Sequence, residues 1–96
     1  MLNYRFDPDA VDIRETPYDD GVEYTIRLLR ETPYGDRLNR VKETFEHNDD
    51  FTDVLFYAYP NLVYKVIVKP EHVADFIAEL FKRRFLRSVE WTEEPG

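Results

Sequence analysis

The chain has no cysteine, so disulfides, thiolate nucleophiles, iron-sulfur clusters and cysteine-ligated zinc are excluded at once. Its three glycines, Gly21, Gly35 and Gly96, lie too far apart to form a phosphate-cradling loop, which removes the Walker and dinucleotide readings. Ser88 is the one serine, and it lacks the glycine elbow that a serine nucleophile needs. The longest apolar stretch, Val54 to Pro60, falls well short of the ~20 residues a bilayer span requires. No basic and apolar leader opens the chain, and a cytoplasmic location is the expectation. These absences leave no cofactor or metal assignment and no catalytic residue set.

Positive charge is also in short supply. Twenty acids face 13 bases for a net charge of −7, and phosphate contacts need a basic footprint, so general nucleic-acid binding is disfavoured. The imbalance is local: residues 1 to 23 carry seven acids against two bases, Asp49, Asp50 and Asp53 fall in one polar run, and residues 88 to 96 add three acids against no base. That distribution suits solvated ends. Neither Asp7-Pro8-Asp9 with Asp12 nor Asp49-Asp50 with Asp53 has the spacing or terminal Glu of a calcium loop. His47, at the end of one predicted helix, and His72, at the start of another, read as surface histidines.

What is abundant is apolar and aromatic surface: 43% of residues are apolar and 16% are Phe, Trp or Tyr. This length and composition predict one domain over residues 1 to 96, with residues 1 to 10 and 93 to 96 poorly ordered. Val11, Ile13 and the polar residues between them alternate as a short strand that Pro17 ends, and Asp20-Gly21 marks a hairpin turn. Val22, Tyr24, Ile26 and Leu28 form the clearest strand, antiparallel to the first. Thr32-Pro33 reads as a helix start, and Tyr34, Leu38, Val41 and Phe45 supply the buried stripe of a helix running to about His47. Val54 to Tyr59 is apolar on both alternating faces, and Leu62 to Val68 is a second strand after a tight turn. A helix from Glu71 to about Arg84 and a strand from Leu86 to Thr92 complete the series.

From residue 22 the order is βαββαβ, the split βαβ or ferredoxin-like pattern of an α+β two-layer sandwich, with an additional N-terminal strand. In that pattern the strand from residue 22 is already flanked on both sides. Either the strand at 11 to 16 lies elsewhere or the strand order is altered. The peptide Arg-Glu-Thr-Pro-Tyr occurs at residues 14 to 18 and again at 30 to 34, serving two different exits from a strand.

The second helix carries the functional expectation. At ~100° per residue, Val73, Phe76, Ile77 and Leu80 already make one core-facing arc, and Ala74, Ala78, Phe81 and Phe85 extend the apolar surface to roughly 200°. Glu71, His72, Asp75, Glu79, Lys82 and Arg83 then form the polar arc. The excess face must meet either the N-terminal segment, with Leu2, Tyr4 and Phe6, or another molecule. The expected interface is therefore Ala74, Ala78, Phe81 and Phe85 with Arg84 and Arg87 at its rim, joined by Tyr57 and Tyr59 on the sheet. This points to a non-catalytic protein-interaction module that self-associates as a homodimer. Two other readings stand beside it: an acidic nucleic-acid mimic that inhibits a basic protein, and single-stranded RNA binding on an open, aromatic sheet face.

Overall fold

The computed structural model describes residues 2–19, 21–46 and 54–92. Their order is β1 (Leu2–Arg5), β2 (Val11–Tyr18), β3 (Gly21–Leu28), α1 (Tyr34–Glu46), β4 (Val54–Tyr59), β5 (Val63–Val68), α2 (Val73–Lys82) and β6 (Ser88–Trp91), with a short 3-10 turn over Pro70–His72 leading into α2. Two antiparallel sheets result: a four-stranded one in the order β2-β3-β5-β4, and a β1-β6 pair.

The four-stranded sheet has one wet and one dry face. Tyr24, Ile26 and Leu28 of β3, Val66 and Val68 of β5, and Val11 and Ile13 of β2 are all buried, and register places them in the same rows. Leu38, Val41 and Phe45 of α1 and Phe76, Ile77 and Leu80 of α2 join the same core. Rings tie the layers together. Phe76 of α2 meets Tyr24 at 4.9 Å and Phe56 of β4 at 6.2 Å between centroids, and Phe45 of α1 meets Phe76 at 6.1 Å. Both helices thus cover one face, an α+β arrangement compatible with a two-layer sandwich.

The strand order answers the question left by the N-terminal strand. β2 lies beside β3, on the flank that the last strand takes in a split βαβ sheet, and β6 pairs instead with β1. The reason is local closure. Tyr18 pairs with Gly21 across a tight turn, with Asp19 at a φ of 47°, so β2 reaches the β3 edge at little entropic cost. Gly21 is required by contact: a Cβ there would overlap the Val68 carbonyl oxygen at the end of β5.

Three element boundaries differ from expectation. β2 continues through Pro17 to Tyr18 rather than ending at the proline, which an edge strand tolerates because no neighbour needs that N–H. Residues 2–10, expected as a loose lead-in, contribute β1, and a turn closed by the Ala10 N–H on the Asp7 carbonyl at 3.0 Å. α2 stops at Lys82 in a reversal centred on Arg84, whose φ is 65°. There the Phe85 N–H donates to the Leu80 carbonyl and the Arg84 N–H to the Phe81 carbonyl, at 2.9 and 3.1 Å, the paired bonds of a Schellman end. His47, Asp49, Asp50, Asp53 and residues 93–96 lie outside the described residues.

Candidate functional site

The helix end corrects the expected interface. Once the chain turns back at Arg84, Phe85 no longer sits on the helical projection; it is carried inward to 2% exposure and packs against Tyr34 at 5.6 Å. Phe85 is core. Ala74, Ala78 and Phe81 remain exposed as a stripe along α2, Phe81 at 48%, and Arg84 and Arg87 are exposed beyond its end. Leu2, Tyr4 and Phe6 of the N-terminal segment line a cleft with Val73 and Ile77, on a different part of the helix.

Glu79 also departs from the polar arc assigned to it. It is 9% exposed and turned toward α1, where its Oε1 accepts from Thr44 Oγ1 at 3.1 Å and from Arg83 Nε at 2.8 Å. The hydroxyl and guanidinium give this buried carboxylate the partners it needs.

The wet face of the large sheet carries most of the other residues of interest. Register aligns Leu55 with Ile67 and Glu23, Tyr57 with Lys65 and Thr25, and Tyr59 with Val63 and Arg27. Leu55, Tyr57 and Tyr59 are each between 42 and 48% exposed. Lys65 stands in the middle, 3.6 Å from Glu23 and 5.6 Å from the Tyr59 ring centre. Among the described residues no helix or strand covers this face, and β4 pairs with β5 alone. β4 is therefore a sheet edge of sequence Val-Leu-Phe-Tyr-Ala-Tyr, without charge or proline.

A cleft of about 400 Å³ opens between β1, the middle of β2 and β3, and the start of α2. Leu2, Phe6, Ile13, Val73 and Ile77 form its apolar walls, and Asn3, Tyr4, Glu15 and Tyr24 its polar part. Glu15 pairs with Tyr24 across β2 and β3, in the row that holds Val11 and Ile13. Burial raises both phenols well above their ordinary value, and the neighbouring Glu15 carboxylate raises them further. Tyr24 is fully buried, with its hydroxyl against the Glu15 carboxylate.

On the outer side of β1, the Asp7 carboxyl is held below its usual range by the Asp9 backbone N–H, with help from the Arg87 guanidinium at 3.2 Å. Arg87 thereby clamps the turn after β1, a local duty for a residue expected at an interface rim. No group of three His, Asp or Glu side chains among the described residues is arranged to hold a metal, and no helix is long and apolar enough to cross a membrane. Comparison with known protein families, with curated proteins and with solved structures finds no match.

Proposed function

We propose that this chain is a non-catalytic cytoplasmic interaction module that associates with a second copy of itself through the edge of β4. The observation that carries the reading is the uncharged edge strand Val54–Tyr59, which among the described residues pairs with β5 alone, with Leu55, Tyr57 and Tyr59 exposed beside it. Soluble proteins blunt exposed edges with lysine, proline or bulges, and this strand has neither lysine nor proline. A chain of net charge −7 repels its own copy over most of its surface, so a neutral edge is where two copies approach at least electrostatic cost.

Antiparallel pairing about a twofold axis at Tyr57 sets Tyr57 opposite its copy and Leu55 opposite Tyr59 of the other chain. Six residues at ~3.4 Å each give a seam of roughly 20 Å, and each backbone hydrogen bond made there contributes about 0.5–1.5 kcal/mol net. The accompanying fold reading is a split βαβ frame, β3 to α2, whose last flank is filled by β2 rather than by the closing strand.

Mass by light scattering after size exclusion, across protein concentration and salt, tests the association. A dimer that persists in high salt and is lost in Tyr57→Lys, with unchanged circular dichroism, is the expected result. A monomer at all concentrations, or a dimer indifferent to Tyr57→Lys, overturns it. The adjacency of Tyr57, Tyr59, Lys65 and Arg27 on the wet face favours single-stranded RNA as a second reading. Titration with labelled oligonucleotides at low salt decides that point, with absence of binding discarding it.

A further inference from the structure

We propose that β4 and α1 form a groove that receives an extended segment of another protein as an added strand, with a large aliphatic side chain of that segment in the cleft between the two elements. The proposal rests on the premise it shares with self-association, that the β4 edge is open to pairing, and the two occupants exclude one another.

The cleft holds about 230 Å³ and is lined on the helix side by Leu38, Asn39 and Lys42 and on the sheet side by Phe56, Tyr57 and Ala58. Consecutive side chains of a strand point to opposite faces. A cleft that touches Phe56, Tyr57 and Ala58 together therefore reaches the edge of β4 rather than one face of the sheet. Among the described residues that edge has no neighbour, since β4 pairs with β5 alone. The cleft opens where the helix-facing row of β4 runs out of large side chains. Val54 is buried and Phe56 is half-buried, its ring centre 6.4 Å from that of Phe45, but Ala58 is exposed. Leu38 is buried and still lines the cleft, so an entering side chain meets the core as well as the surface.

Size and backbone chemistry select the occupant. Small-ligand sites span about 300–1,000 Å³, and this cleft falls below that range. A continuation of about 220 Å³ past Asn39 and Tyr64 runs toward Glu31 and Asp36 and has Leu62 as its one aliphatic wall. The apolar part thus suits one large side chain, not an organic ligand. The edge supplies the rest of the recognition. Alternate residues of a strand turn both backbone groups to the same side, so half of the six residues of β4 present an N–H and a C=O outward. An extended backbone matches that row, whereas a helix satisfies its own groups internally. Recognition by strand addition divides the work in this way: main-chain hydrogen bonds hold the segment, and a pocket reads its alternate side chains. Lys42 is the one charged residue of the lining. Its contact with Glu46 is long, at 3.7 Å, and about half exposed on both sides, a surface pair of little strength. An ammonium has three donors, so a second carboxylate can join it. The preferred segment therefore carries an acid two residues from the aliphatic one, on the same face of the added strand.

The probe is the peptide acetyl-Thr-Val-Leu-Val-Glu-Thr-amide, titrated into the full chain and followed by two-dimensional amide NMR. The expected result is saturable shifts centred on residues 38–42 and 56–58, with the dimer giving way to the monomer in light scattering as the peptide saturates. Replacing the peptide's leucine by asparagine weakens binding about tenfold or more. Replacing its glutamate by lysine weakens binding about threefold, although a chain of net charge −7 attracts cations at long range. Two further probes are N-methylated, at the leucine amide or at the valine amide that follows. One loses binding and the other keeps it, because neighbouring amides of a strand point to opposite edges. Ala58→Leu fills the cleft from an exposed position, keeps the fold, and removes the preference for leucine over asparagine. The proposal is overturned if no probe saturates below about 5 mM, if the leucine and asparagine peptides bind alike, if the two methylated peptides bind alike, or if Ala58→Leu leaves the leucine preference intact. A chain that is monomeric without peptide yet passes these tests refutes self-association alone. A dimer that the peptide neither binds nor dissociates refutes the groove alone.

Discussion

Phe81 and Phe85 are four residues apart and would share a helix face if α2 continued, so replacing each by alanine is a direct test of where the helix ends. Phe85 is 2% exposed and in ring contact with Tyr34, whereas Phe81 is 48% exposed on the α2 stripe. Truncating a fully buried phenylalanine costs about 3–5 kcal/mol, the lost transfer energy plus the cavity left behind. A domain of this size has about 5–10 kcal/mol in total, so Phe85→Ala should remain folded at low temperature but lose about 15–30 °C in Tm. Phe81→Ala should change stability by no more than about 0.5 kcal/mol. Urea and thermal unfolding followed by circular dichroism, at one low protein concentration so that association does not contribute, measure both. Equal losses in the two variants, or a loss below about 1 kcal/mol for Phe85→Ala, would refute the Schellman reversal as the reason one ring is core and its neighbour is surface.

Arg84 occupies the left-handed position of that reversal with φ 65°; Arg84→Gly should therefore stabilise by about 0.5–1 kcal/mol in the same urea titration, and a loss of stability would contradict the geometry. Glu79→Ala removes the acceptor shared by Thr44 and Arg83 and should cost about 1–3 kcal/mol; a double-mutant cycle with Arg83→Ala should show coupling, and strict additivity would mean the pair is not formed. Both Tyr4 and Tyr24 have pKa values raised above their ordinary 10.0 in the folded state. Their contribution is fully present below pH 10 and is lost as pH climbs above it, because unfolding then releases protons that the native phenols hold. Tyr24 alone gives a slope of up to about 1.4 kcal/mol per pH unit, with less from half-buried Tyr4. Urea midpoints taken from about pH 9 to 11 should fall, and Tyr24→Phe should fall less steeply; equal slopes in the two proteins would remove Tyr24 from the account.

The sequence by itself determined the elements whose patterns are local. Alternation in Val22 to Leu28 located β3, the stripe Leu38, Val41 and Phe45 located α1, and the Tyr59-Pro60-Asn61-Leu62 turn separated β4 from β5. It also revealed that α2 had more apolar surface than one core needs and that the sheet had an aromatic wet face. Tertiary structure decided everything that depends on competition between distant partners. Two strands could flank β3, and the short connection of β2 favoured it, leaving β6 to pair with β1 some 85 residues away, Leu2 with Trp91 and Arg5 with Ser88. Phe85 and Glu79 were assigned to the wrong surroundings for a related reason: a helical projection treats the helix as endless and alone, whereas α2 reverses at Arg84 and leans on Thr44 of α1. Glu15 follows Val11 and Ile13 along β2 as one more polar residue of a half-buried strand, and only the fold brings it beside Tyr4, from the first strand, and Tyr24, placed opposite by the hairpin. A cleft exists only where three segments meet, and periodicity along one segment carries no information about the other two.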